Sequence, residues 1–366
     1  MFVHVAGVTG NIGQKLVDAL HARGHQVRGL GRNPGKLTAT RRAKLEDFIL
    51  TSNHYDIEAL DRGCKGADAV ICAYGVLPTE LQFDGQLLLL RAAERANIRR
   101  FVLSTWNNDW SRDPLGMHES YDPFIAFRRI AELSSPIKSI YIFTGVLAEV
   151  FWVFPDHPFG AVELNGYWDG RDKSMSFWGN GDKPMPWSTE RDAAEFTAAI
   201  ISRDDAEEGG CWNTVSGIHS VRELATVYER VKGKEVSFKI RGTDEDLKAL
   251  AFEARKAATP RDFFQYMSYF VAAPHVALPV TAVRYRFPQA DYPSCTVYRY
   301  DPHTDLPLRG IKPLSTIHVF HLLPRFVIYF YQFYTNNGTW DMAKIDNDEL
   351  DVRATSLEDF LRDNNI

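Results

Sequence analysis

Three glycines at three-residue spacing, Gly7, Gly10 and Gly13 in GVTGNIG, carry the first chemistry legible in the chain. Glycine at these places lets a chain turn sharply, lets backbone approach a pyrophosphate, and lets the following helix pack closely on its strand. The helix N-terminus then offers unpaired N–H groups to an anion. A glycine turn also occurs as a buried βα turn that holds nothing, so the motif alone leaves both readings open. Further on, where a dinucleotide site selective for NAD carries an acidic residue, this chain has Arg32, Asn33 and, after a Pro-Gly turn, Lys36. Two cations there suit a 2'-phosphate, Arg32 through two parallel hydrogen bonds and Lys36 as a point charge. The expected cofactor is NADP(H); the alternative is a solvated surface Arg and Lys.

Those groups need a scaffold, and the flanking residues predict one. FVHVAG is a short apolar run, Leu16, Val17 and Leu20 recur at helical spacing, Gly24 ends the helix, and HQVRGLGR is a second strand. Together they make one βαβ unit. Alternation continues with strands at 46–51, 66–75, 99–106 and 139–145, separated by helices beginning at Asp56 and Ile57, at 80–97 and at 123–133. Six strands alternating with helices predict an α/β fold, a Rossmann-type doubly wound, mainly parallel sheet that binds ligands beyond its carboxyl ends. Residues 1–150 are therefore expected to form the NADP(H)-binding domain. Beyond them the pattern is mixed, with strands at SMSFWG, PMPWST, WNTVSG and KEVSFKI and helices from Glu190 and Ser220. Residues 151–366 are expected to form a smaller mixed α/β substrate lobe, some of whose elements pack back on the first domain. Residues 273–317, rich in Pro and Tyr, are expected to cover a pocket, and Ser356 before Asp359 is a capping signal for a terminal helix.

Composition bounds the function. The 366 residues are 45% hydrophobic and 24% charged, with a net charge of -5 and no basic stripe, which speaks against a nucleic-acid partner. Cys64, Cys72, Cys211 and Cys295 form no CxxC pair, so neither a zinc site nor a disulfide framework is expected. The chain starts directly on its first strand, leaving no room for a signal peptide, and a cytoplasmic protein is expected. The most apolar stretch, 318–334, is interrupted by His321, Pro324 and Arg325, so no membrane partner is expected either.

GVTGNIG, GRNPGK, the Asp56-Ile57 pair, VICAYG, RRFVLSTW, FRRIAEL, GDKPMPWSTERDAAEF, SVRELA and TSLEDFL together resemble the NmrA-like branch of the atypical short-chain dehydrogenases. That group includes isoflavone and phenylcoumaran benzylic ether reductases, and the aromatic-rich insertions resemble fungal members that serve secondary metabolism. The resemblance implies that Gly7, Thr9, Gly10, Asn11, Ile12 and Gly13 hold the pyrophosphate, Arg32, Asn33 and Lys36 the 2'-phosphate end, and Asp56 and Ile57 the adenine. It further implies that Ala73, Tyr74 and Gly75 line the ribose, and that Ser104, Thr105, Phe143, Thr144, Gly145 and Val146 line the nicotinamide; core packing is the other reading of the last set.

One departure bears on catalysis. Matching FRRIAEL to the family puts Phe124 where its reductases carry a lysine, and no lysine lies between Lys65 and Lys138. His118, Glu119 and Tyr121, just upstream, are the candidates to move a proton in its place. Hydride transfer needs only a nicotinamide held against its acceptor in a dry cleft, so redox chemistry survives the loss. Trp106, Trp110, Phe151, Trp152, Trp168, Trp178 and Trp187 are expected to wall an apolar pocket for a large substrate. The leading expectation is an NADPH-dependent oxidoreductase reducing C=C, C=N or C=O in a bulky aromatic or alkaloid-like metabolite. The alternatives are a redox-neutral NADP(H)-dependent isomerase or cyclase, and a non-enzymatic NADP-sensing regulator.

Overall fold

The computed structural model describes residues 1–75, 79–118, 120–154, 157, 167–257 and 325–366. Glu119, Cys295 and the stretch 273–317 lie outside the described residues. β1 (Phe2–Ala6), α1 (Asn11–Ala22) and β2 (Gln26–Gly31) form the first βαβ unit. The alternation runs on through α2 (Ala39–Arg42), β3 (Leu45–Leu50), α3 (Ile57–Cys64), β4 (Ala69–Cys72), α4 (Asp84–Arg95), β5 (Arg100–Val102), α5 (Asp122–Ser134) and β6 (Ile140–Phe143). Next come β7 (Val146–Leu147), α6 (Ala148–Phe151), β8 (Trp168–Asp169), β9 (Ser174–Phe177), β10 (Met185–Ser188), α7 (Glu190–Ser202), β11 (Gly210–Asn213) and β12 (Gly217–His219). The remaining described elements are α8 (Val221–Lys232), β13 (Ser237–Ile240), α9 (Asp244–Ala257), α10 (Arg325–Asn336) and α11 (Leu357–Asp363).

The main sheet has seven strands in the order β11-β6-β5-β4-β1-β2-β3, and its paired strands run parallel. Val3, Val5 and Ala6 of β1 are fully buried, as a strand covered by helices on both faces must be. The strand order reverses between β1 and β4, which sets the ligand crevice at their carboxyl ends. α1 turns Leu16, Val17 and Leu20 inward, and α7 packs alongside it. The seventh strand differs from expectation: Gly210–Asn213 pairs with β6, from Gly210 opposite Ile140 to Asn213 opposite Phe143. The strand expected at WNTVSG in the smaller lobe thus forms at Gly210–Asn213 and joins the main sheet, a placement that local pattern does not announce and the partner strand selects.

Two three-stranded sheets, β12-β10-β7 and β13-β9-β8, build the second layer. Here the tryptophan expectation is corrected. Trp106, Trp110, Phe151, Trp152, Trp168 and Trp187 are all at most 7% exposed. Trp152 stacks on Tyr228 at 5.5 Å, Trp168 tilts against the same ring at 4.8 Å, and the Trp106 indole donates to Thr197. These rings fill cores; of the seven, only Trp178 is half-buried, lining a shallow cleft with Tyr167, Phe177 and Lys183. α10 returns to α5 and buries Phe330 and Tyr334 beside Tyr121 and Phe124. Among the described residues no helix is long and apolar enough to cross a membrane.

Candidate functional site

The glycine turn sits at the crevice, and its three glycines answer to different neighbours. Gly7 has φ +84, and a Cβ there would lie 2.4 Å from the Ala73 carbonyl oxygen at the end of β4. A Cβ on Gly13 would lie 2.3 Å from the Gly7 carbonyl oxygen, so the chain's own backbone demands glycine at both places. Gly10 differs: its nearest would-be neighbour is the Gly7 carbonyl oxygen at 3.3 Å, and the space before it is otherwise unfilled by backbone within 3.7 Å. Gly10 is the N-cap of α1, no side chain caps that helix, and its first turn holds no acid. An uncapped N-terminus next to a glycine that the protein itself does not fully explain fits a bound anion. Thr9, Asn11 and Ile12 are half-buried around it.

At the end of β2, Arg32 and Lys36 are exposed, and neither has an ion-pair partner among the described residues. Asn33 accepts a hydrogen bond from the Gly35 amide at 2.9 Å, closing the turn that carries Lys36. The neighbouring cations behave differently, since Arg41 and Lys44 both bind Asp18, at 2.8 and 2.6 Å. At the end of β3, Asp56 caps α3 through the Ala59 amide at 3.1 Å and accepts from Ser52, leaving Ile57 39% exposed beside it. Despite an opposing contribution from burial, those hydrogen bonds hold its carboxyl below the ordinary range.

Toward the centre of the sheet, polar groups are spent on the fold. The Ser104 hydroxyl donates to the Tyr74 carbonyl at 2.7 Å, and Thr105, 2% exposed, bonds both Ile142 backbone groups. Ala73 is buried, Gly75 is exposed, and the Tyr74 ring lies against Gly85 with its hydroxyl buried, which raises that phenol well above its ordinary value. Phe143 and Thr144 are fully buried. Gly145 has φ +66, and a Cβ there would lie 2.1 Å from the Pro186 carbonyl oxygen; half-buried Val146 pairs with Trp187.

The structure brings two residues into this end that spacing does not reveal, Asn107 and Tyr331. The Asn107 carbonyl accepts from the Thr144 amide at 2.9 Å and the Gly145 amide at 3.2 Å. Its Oδ1 accepts from the Asn108 amide at 2.8 Å, from the Tyr121 hydroxyl at 3.0 Å, and from the Tyr331 hydroxyl. A backbone N–H can only donate, so that contact fixes which amide atom is oxygen. Tyr331 lies on α10, and no local periodicity could join it to Asn107. Burial pushes the Tyr331 phenol up to about 12 and raises that of Tyr121 well above its ordinary value, so both stay protonated at neutral pH. Tyr121 itself is 2% exposed, and His118, fully buried, sits among the rings of Tyr121, Tyr331 and Trp340 at 5.2, 5.7 and 5.3 Å. Phe124, the residue the resemblance aligns with a catalytic lysine, stacks on Trp110 at 5.8 Å inside the same core.

Comparison with known proteins adds a lineage to this geometry. The profile of the NmrA-like family matches residues 2–269. A bifunctional pinoresinol-lariciresinol reductase 2 of Linum usitatissimum is 25% identical over 251 residues, 64% of this chain and 72% of that protein. The crystal structure of an isoflavone reductase superposes with a TM-score of 0.65 at 16% identity, covering 99% of this chain and 98% of the other. A leucoanthocyanidin reductase from Vitis vinifera, solved as a binary complex with NADPH, gives a TM-score of 0.56 at 22% identity over 69% of this chain and 82% of its own.

Proposed function

The chain belongs to the NmrA-like family, and on that premise we propose that it is an NADP(H)-dependent oxidoreductase acting on a bulky aromatic or alkaloid-like metabolite, reducing a C=C, C=N or C=O bond. The observation that carries the reading is the pairing of an uncapped α1 N-terminus with two exposed cations, Arg32 and Lys36, that have no carboxylate partner among the described residues. When bound, the nicotinamide supplies a hydride. The glycine turn and the amides of Asn11, Ile12 and Gly13 would hold the pyrophosphate, and Arg32 and Lys36 the 2'-phosphate, on a turn closed by Asn33. Asp56 and Ile57 would border the adenine, Ala73 to Gly75 the ribose, and Ser104, Thr105 and Phe143 to Val146 the nicotinamide.

On the substrate side, the chain's own polar surface is the Asn107–Tyr121–Tyr331 network, with half-buried Asn107 and Tyr331 at its outer edge and Tyr121 behind them. In this reading Tyr331 and Asn107 orient and polarise the acceptor, while residues 151–366 contribute the substrate side. Support also comes from the flax relative, whose name is that of a reductase of aromatic plant metabolites. Phe124 stacked on Trp110 favours a second reading, a redox-neutral isomerase or cyclase that keeps the nucleotide.

The test is incubation with NADPH and a panel of aromatic enones, ketones and imines that includes an isoflavone, following nicotinamide absorbance and product mass together. Loss of absorbance with a product two hydrogens heavier is expected. Product that forms only with NADP(H) and without absorbance change would support the redox-neutral reading; nucleotide binding with no turnover of any compound would leave the sensor.

A further inference from the structure

Four titratable side chains meet beside α1, apart from the residues assigned above. Glu149 comes from α6 and Glu190 is the first residue of α7, and they are 7% and 3% exposed. Lys15 comes from α1, and His157 from the stretch after α6. Both Glu149 carboxyl oxygens accept from the Glu190 amide, at 3.1 and 3.0 Å. The basic side chains converge on the other acid: Lys15 Nζ lies 2.6 Å from the Glu190 carboxylate and His157 Nε2 3.1 Å. Two buried carboxyls thus share one lysine, and that lysine is bonded to Glu190. Two like charges in a poorly hydrated space cannot both persist cheaply, so one acid holds its proton up into the neutral range. Burial first, and the neighbouring Glu190 charge second, push the Glu149 carboxyl up to about 7. Burial acts the same way on Glu190, but His157 and Lys15 outweigh it and hold that carboxyl low.

We propose that Glu149 is a proton store coupled to the nucleotide site, taking up a proton when the phosphates of NADP(H) dock at the N-terminus of α1. This rests on the nucleotide reading given above. Lys15 is four residues beyond Asn11, about 6 Å along the helix axis and inside a Debye length, and its ammonium is bonded to Glu190, whose amide donates to Glu149. Added negative charge there strengthens the hold of Glu149 on its proton, and the groups facing Glu149 that could compensate are Glu190, Lys15 and His157. Because binding takes up a proton, NADPH affinity falls about 2-fold between pH 6.5 and pH 8.

Calorimetric titration with NADPH at pH 7, in two buffers of different ionisation enthalpy, reads the proton directly. The expected uptake is roughly 0.3 proton per nucleotide, set against release of at most about 0.1 from the 2'-phosphate, which ionises near pH 6. Glu149→Gln should still bind NADPH and lose the uptake. Binding without uptake, or uptake unchanged in Glu149→Gln, overturns the proposal; no NADPH binding at all overturns the nucleotide reading beneath it. Should that variant fail to fold, infrared difference spectra of the wild-type protein decide: a growing band of protonated glutamic acid on adding NADPH supports the store, and its absence refutes it.

Discussion

At the end of β2, Arg32 and Lys36 stand exposed with no carboxylate near them among the described residues, while across the sheet, beyond the end of β5, the hydroxyls of Tyr121 and Tyr331 both converge on Asn107. The same contrast divides the glycines. Gly7, Gly13 and Gly145 are required by backbone within 2.4 Å of a would-be Cβ, whereas Gly10 has nothing nearer than 3.3 Å. A group left open in a folded chain is free to meet a ligand; a group satisfied from within fixes geometry. The proposed nucleotide end is thus built from open groups and the aromatic end from closed ones, and the two ends should respond differently to substitution.

The largest effect is expected at Gly10. Gly10→Val puts a branched side chain where a Cβ meets nothing nearer than the Gly7 carbonyl oxygen at 3.3 Å, so the fold should survive with a small loss of thermal stability while NADPH binding is lost, as calorimetry and circular dichroism would show together. Gly13→Val, by contrast, should lose the fold. At the closed end, Tyr331→Phe should slow turnover of an identified substrate by about 10² to 10⁴-fold with unchanged NADPH affinity, if the Asn107 network acts on the acceptor. Next comes Arg32→Ala, which removes a charge-assisted contact worth roughly 1.5 to 3 kcal/mol, so NADPH should bind about 10- to 100-fold more weakly and NADH almost unchanged. The smallest effect belongs to Tyr121→Phe. It deletes one of three donors to Asn107 Oδ1, and the expected loss is about 1 kcal/mol in urea unfolding, with NADPH binding intact. A Tyr121→Phe variant slowed as much as Tyr331→Phe would make Tyr121 itself the proton donor.

The same contrast explains what the sequence could disclose. The open end is local: strand, glycine turn, helix and cations fall within the first 36 residues, and Asp56 and Ser356 each cap the helix that follows them. The closed end is assembled from afar. Asn107 and Tyr331 are 224 residues apart, and a strand from Gly210–Asn213 completes the main sheet beside β6. Aromatic residues at a given count are legible, but which side of a sheet they fill is not. Six of the seven rings expected in a pocket wall are buried core: Trp152 and Trp168 pack on each other and on Tyr228, Trp110 on Phe124 and Phe143, and Trp106 bonds Thr197. That Phe124 stands where the resemblance implies a lysine is a reading of the sequence; its packing on Trp110 required the fold.

The central claim is that open groups at the end of β2 and at the glycine turn select a 2'-phosphorylated dinucleotide. Titration of the wild-type protein with NADPH and with NADH, read as energy transfer from its tryptophans to the nicotinamide, tests it most directly. The account predicts saturable NADPH binding at least about 10-fold tighter than NADH; equal affinities, or no binding of either, would contradict it.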